Sequence, residues 1–295
     1  MNKWILYAVS AVFAASASNT LAHPKQIAFL NHLYAVVDIE TVNAIEQSSY
    51  LPGFIDYEKL TVTADGEESW TGRYLSGRST YIEFFSPGDV AGGELGNIGL
   101  AFGTERVGDI VRMARHMRKD DARFSREMRK RSFDGEEVDW FHDLGLKMEN
   151  TGAEFWAMEY VADYMDHTAA NKELAEGDWD RISRERYLND NYRGKLVRDI
   201  AYVAFHIDKA SIQEAMPLIL AAGYEVVEGD GLTRLLGQEA EIDLFHAEGG
   251  KRGLGKLGFA LNRAVTGQHL ERIGNSELRV GPGEIATWTF ELQES

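Results

Sequence analysis

Apolar and polar positions along the chain recur in one order: a short apolar run, an amphipathic helical segment, then alternating segments bounded by glycine. The first unit opens with residues 27–37 and turns at Asp38, a good helix N-cap. It continues through Ile39, Val42, Ala44 and Ile45 at helical spacing. Strands are predicted over 60–63, 69–75 and 80–85, with Asp65-Gly66 and Ser76-Gly77 as turn signals. The second unit runs from a strand at 98–102 into a helix carrying Ile110, Met113, Ala114 and Met117, then strands at 124–131, 138–142 and 155–161. The third has a strand at 200–207, a helix after Asp208 that stops at Gly223, and strands at 224–227, 232–236 and 241–246. A weaker fourth copy runs from 257–261 into a helix over 264–273, then strands at 278–280 and 285–292. The first three units read βαβββ, and the fourth lacks one of the closing strands. The expected fold class is α+β, with paired βαβββ modules forming cupped mixed sheets in two such domains; a plain α+β chain of unrelated units is the alternative.

The polar stretch 166–198 lacks a strand pattern and is expected to be a helical connector between residues 23–165 and 199–295, each a double module. Ahead of the repeat, Lys3 precedes an apolar run from Trp4 to Ala17, too short for the roughly 20 residues a membrane-spanning helix needs. Residues 1–22 read as a secretory signal peptide, cut after Ala22 or after Ala17. A periplasmic or secreted protein, with no membrane anchor once the signal is removed, is the expectation.

A length of 295 residues suits two domains, and a net charge of −16 argues against nucleic acid as a partner. The absence of cysteine leaves histidine and carboxylates as the strong candidate metal ligands. Neither glycine cluster, 92–96 or 249–255, has the ending of a phosphate loop, and no serine-hydrolase elbow or zinc-protease helix motif is present.

The opening run Asn31-His-Leu-Tyr-Ala-Val-Val-Asp38 and the closing run Thr80-Tyr-Ile-Glu-Phe-Phe85, set in a paired βαβββ repeat, resemble the vicinal oxygen chelate superfamily of glyoxalases, extradiol dioxygenases and bleomycin-resistance proteins. More narrowly, Trp70–Phe85 followed by Gly99–Gly103 looks like an uncharacterised bacterial glyoxalase-like family. The resemblance implies a divalent metal (Zn, Fe, Mn or Ni) inside the first cup, held by a first-strand histidine and a last-strand carboxylate of each module. Carried over, these are His32 and Glu83 in the first module and Glu159 in the second, with Glu159 also a general base. The position matching His32 in the second module is Gly99, which leaves three protein ligands unless His142 supplies a fourth.

Strand alternation independently sets Glu83 on a face with Tyr81 and Phe85, and His32 on a face with Leu30 and Tyr34. A carboxylate on an aromatic face needs a compensating partner, and a metal or a cation would serve. Arg73, Trp70, Tyr74, Tyr81 and Phe85 are the candidate contacts to a small-molecule ligand. Each residue also has a plainer reading: His32 as a bonded core histidine, Glu83 paired with Arg73 or Arg78, the rings as core. A weaker second metal candidate joins His206 and His246 with Asp243. The expected function is an exported glyoxalase-like protein binding a small polar organic ligand, with metal-dependent lyase, isomerase or dioxygenase-type chemistry. The alternatives are metal-free sequestration of a small molecule, or an exported structural protein.

Overall fold

A computed structural model describes residues 25–65, 68–120, 122–133, 136–149, 152–168, 181–247 and 250–294. The signal-peptide segment, 1–22, lies outside the described residues. The first two units fold as their patterns predict. Strand β1 (Ala28–Val36) leads to helix α1 (Ile39–Gln47), a short helix α2 (Leu51–Phe54), and strands β2 (Asp56–Ala64), β3 (Glu68–Ser76) and β4 (Tyr81–Phe85). The second unit repeats this as β5 (Ile98–Thr104), α3 (Asp109–Lys119), β6 (Phe124–Phe133), β7 (Glu136–Leu146) and β8 (Ala153–Tyr160). Asp38 caps α1 through the Thr41 N–H at 2.9 Å. In each unit the crossover helix lets the first strand pair in parallel with the last, β1 with β4 and β5 with β8.

The two units join antiparallel along β1 and β5 and close into a barrel of order β1-β4-β3-β2-β6-β7-β8-β5. Closure on the far side is thin: among the described residues, the β2–β6 ladder is the single register pair Ala64–Arg131. The outer face packs into the main apolar core, while the inner face mixes large rings with polar side chains.

Helices α4 (Ala162–Thr168) and α5 (Arg184–Tyr187) follow, and they close one end of the barrel. Tyr164, Ile182 and Tyr187 join Met158, Tyr160 and Trp140 in a single apolar cluster inside it. The third unit then runs β9 (Val197–Ile207), α6 (Lys209–Ala222), β10 (Glu225–Gly229), β11 (Leu232–Leu236) and β12 (Glu241–His246). Gly223 ends α6 with φ of 91°, the left-handed turn that favours glycine.

The fourth unit departs from expectation, for no helix forms over 264–273. Instead β13 (Lys251–Val265) continues straight, turns at 266–268, and returns as β14 (His269–Ile273), β15 (Ser276–Val280) and β16 (Gly283–Phe290). The apolar positions Ala264, Leu270 and Ile273 fit a helical period, but they also fit two strands broken at Gly267, and pairing of β14 with β15 decides it. Losing the crossover helix reverses the direction of every later strand, so β16 runs antiparallel to β13. The C-terminal sheet, order β10-β11-β12-β9-β13-β16-β15-β14, therefore stays open, with a short β17 (Gln293–Glu294) beside β13.

That sheet covers the outer face of the barrel. Phe84, pointing outward from β4, packs against Trp288 and Phe290 at ring-centroid distances of 5.4 and 5.5 Å. Burying a phenylalanine completely is worth about 1.5–3 kcal/mol. Polar clamps cross the same seam: the hydroxyl of Ser79 donates to the Asp199 carboxylate at 2.6 Å, and the Asn275 amide donates to Asp38 at 3.1 Å. No helix among the described residues is long and apolar enough to cross a membrane.

Candidate functional site

The inner face of the barrel leaves a cavity of about 460 Å³, inside the range of roughly 300–1,000 Å³ typical of small-molecule sites. His32 and Glu83 lie in its wall among Tyr34, Tyr81, Phe85 and Trp156. A bulge between Leu30 and His32 in the β1–β5 ladder sets the histidine inward. It also separates His32 from Leu30, which the simple alternation placed beside it; Leu30 joins the outer core. His32 stacks on Tyr81 at 4.4 Å with planes 9° apart and meets the edge of Trp156 at 5.2 Å. Its Nδ1–H donates to Asn31 Oδ1 at 3.2 Å, so Nε2 is left as an acceptor facing Glu83 Oε1 at 3.9 Å.

That separation would suit an ion pair, but burial forbids one. Desolvation holds His32 down to about 3 and pushes the Glu83 carboxyl up to about 8, against smaller opposing effects of the Tyr74 hydroxyl and the Arg131 guanidinium. Both groups are therefore mainly uncharged near neutrality. Because the folded chain keeps the Glu83 proton that the unfolded chain gives up near its ordinary 4.5, stability drains as pH rises from about 4.5 toward about 8. Glu83→Gln is accordingly expected to exceed the wild type in stability by on the order of 1–3 kcal/mol at pH 8, with the gap closing toward pH 5. Urea unfolding at the two pH values checks this; an unchanged gap would show that Glu83 is well solvated.

The structure divides the residues singled out from the sequence. Trp70, Tyr81 and Phe85 line the cavity with His32 and Glu83. Tyr74 stands just behind, accepting from the Trp70 indole N–H at 2.9 Å and donating toward Glu83. Arg73 does not reach the cavity. It faces outward from β3 and is held by Glu46 of α1, at 2.7 Å from Nε, and by Asp89. It is a clamp between barrel and helix; burial works against its charge, but the Glu46 and Asp89 carboxylates outweigh that and keep it charged.

Glu159 is also outside. It lies on the outer face of β8 with Phe155 and Ala157, where it accepts from the Gly108 N–H at 2.9 Å, the Ile110 N–H at 3.0 Å and the Thr104 hydroxyl at 3.1 Å. Those amides open α3, whose N-cap glycine has no side chain to satisfy them, so a strand carboxylate serves as the cap. Facing apolar neighbours on alternate positions was a sound clue that Glu159 is buried, but both faces of β8 carry large apolar residues, and the one with Glu159 points away from the cavity. His142 pairs laterally with Glu159 on β7 and shares that outer face.

Three donors therefore do not converge, and among the described residues no group of three His, Asp or Glu side chains could hold a metal ion. The cavity has His32 and Glu83 from the first module, while β8 presents Glu154 at the rim and Trp156 and Met158 further in. An indole and a thioether are poor partners for the divalent metals expected here, so the donor set does not fit a catalytic metal. The second metal candidate does not assemble either. Asp243 is bound by Arg234 at 2.7 and 2.9 Å, His206 stacks on Phe245, and His246 bonds Thr233 on the other side of β12.

With the geometry in view, comparison with known proteins is informative. A family model described as "Family of unknown function (DUF5829)" matches residues 30–290. The chain belongs to this family. No curated protein matches the DUF5829 chain. Among solved structures, a hypothetical protein from Staphylococcus aureus is similar in fold, with TM-score 0.53 at 10% identity, covering 87% of this chain and 99% of its own. A Mn(II)-bound glyoxalase from Novosphingobium aromaticivorans matches at TM-score 0.41 and 12% identity, over 91% and 84% of the two chains. BphC, a halotolerant catechol dioxygenase, matches at TM-score 0.45 and 7% identity, over 92% and 89%.

Several cavity residues of this DUF5829 member escape a reading of the sequence. Asp143 and Phe141 line the cavity from β7, and Trp140 joins them. Burial pushes the Asp143 carboxyl up to about 6, with Arg129 opposing and Glu127 and Glu154 adding to the rise. Alternation of Phe141, Asp143 and Gly145 was visible, but the predicted strand stopped at His142. Tyr187 stacks on Tyr160 at 4.1 Å and plugs the barrel from the connector, a segment whose polarity gave no sign of a core role.

Proposed function

We propose that this chain is an exported, metal-free binding protein that takes one small organic molecule into the N-terminal barrel. The carrying observation is the cavity itself: about 460 Å³, walled by aromatic rings, with an uncharged His32 and Glu83 in its wall where the superfamily resemblance implied a metal. Rings supply area and stacking; the imidazole Nε2 and the carboxyl offer a hydrogen-bonding pair to a polar end of the guest. Export rests on the sequence of residues 1–22. Kinship with glyoxalases, dioxygenases and resistance proteins belongs to this proposal also, supported by the paired βαβββ barrel and the runs 31–38 and 80–85.

The test has two arms. A chemically mixed small-molecule library is screened by thermal shift against wild type and Gly145→Phe, a change that grows a ring into the cavity from a point where a new Cβ meets only the Asp143 carboxylate at 3.2 Å and Ser125 Oγ at 3.5 Å. Ligands should stabilise wild type and not the variant; a library with no such ligand would overturn binding. In parallel, untagged protein loaded with Zn, Mn, Fe or Ni and then desalted should retain far less than one equivalent. Stoichiometric metal lost in both His32→Ala and Glu83→Gln would return the site to metal chemistry.

A further inference from the structure

We infer that the barrel cavity selects organic cations, an amine or a quaternary ammonium carried on an apolar body, over neutral and anionic molecules of the same shape. This rests on the binding reading above and names the class of guest. With the Glu83 carboxyl uncharged near neutrality, the charged groups of the wall are Glu68, Asp143 and Glu154 against Arg129 and Lys147. Arg129 is already engaged, by Asp65 at 2.6 Å and by Glu68 at 2.5 Å, so it does not stand ready for an anion. Lys147 is exposed, out at the rim. Glu83 is buried, and its Oε1 lies 3.9 Å from His32 Nε2, beyond hydrogen-bonding distance. Asp143 is set in the wall beside Phe141, and Glu154 takes the Tyr34 hydroxyl.

The rings work in the same direction. Tyr34, Trp70, Tyr81, Phe85, Trp140 and Trp156 surround the space, and the face of an aromatic ring attracts a cation, more strongly once water is gone. The molecule already does this within its own barrel: the Arg131 guanidinium sits 5.3 Å over Phe133 and 5.2 Å over Trp140. An anion entering the cavity would meet ring faces and carboxyl groups, and of the lining cations only the exposed Lys147 ammonium would stand ready to replace its hydration. A cation would gain ring faces and an opposite charge in the Asp143 and Glu154 carboxylates. The chain's net charge of −16 favours its approach.

The experiment uses three probes of one shape: 4-phenylbutylamine, 4-phenylbutanol and 4-phenylbutanoate, titrated by calorimetry into the mature protein at pH 7. The amine should bind at least about tenfold more tightly than the alcohol, a difference of about 1.4 kcal/mol, and the carboxylate should bind worst. In Asp143→Asn/Glu154→Gln the amine should fall toward the alcohol, while the alcohol itself changes by less than about twofold. Equal affinity for amine and alcohol, a preference for the carboxylate, or no binding by any probe would overturn the inference. Failure of the binding reading is separately visible, because the Gly145→Phe screen tests it with ligands of every charge.

Discussion

Glu159→Ala is expected to cost about 3–5 kcal/mol of stability, because the change strips three hydrogen bonds from buried donors at once. The side chain is 4% exposed, so water cannot readily replace it. The amides of Gly108 and Ile110 begin a helix whose cap residue has φ of 91° and no capping side chain, and a carboxylate there also meets the positive end of the helix dipole. Glu159→Gln keeps one acceptor and should lose roughly half as much. Denaturant unfolding of wild type and both variants gives the numbers. Ligand binding by the folded fraction should be unchanged, since the cavity lies on the other face of β8. A variant as stable as wild type that had lost its ligand would restore Glu159 to the site and undo the outward placement.

Arg184→Ala should be of similar size, about 3–5 kcal/mol, the usual consequence of removing one member of a buried ion pair. Arg184 sits on α5, 3% exposed, with Glu105 at 2.5 Å, Glu239 at 2.7 Å and the Leu30 carbonyl at 2.5 Å, and its guanidinium rests 4.9 Å over Phe29. It thus fastens the connector to β1, to the end of β5 and to the loop before β12. Burial already pushes the Glu105 carboxyl above its ordinary range in spite of the arginine; without it Glu105 would be a half-buried carboxyl with its main partner gone. Arg184→Met keeps much of the apolar stem and should recover part of the loss. Thermal and denaturant unfolding of both variants would measure it, and a loss below about 1 kcal/mol would show a clamp of no more than surface strength.

The fold was legible in the sequence wherever the pattern was local. Strand alternation, the Asp38 and Asp208 caps and the Gly223 stop each depend on neighbours within a few residues, and both helices they concern formed as read. The fourth unit failed because spacing at 264–273 suits two structures, and pairing with a later strand chose between them. In the site, alternation set Glu83 beside Tyr81 and Phe85, as the cavity has them, but it set His32 beside Leu30, which the bulge sends to the outer core. Glu159 and Arg73 were not distinguishable from them by any single-strand argument. Which face of a doubly buried strand looks inward depends on the partner strands and on a one-residue bulge near Asn31, both of which are properties of the assembled barrel.

The helix missing from the last quarter has a consequence for capacity. Reversal of β16 denies the C-terminal sheet the parallel closing strand that shaped the first chamber, so two halves of similar pattern form one closed barrel and one open buttress. Saturation should therefore come at a single guest per polypeptide, with the second half spent on bracing the wall behind the first.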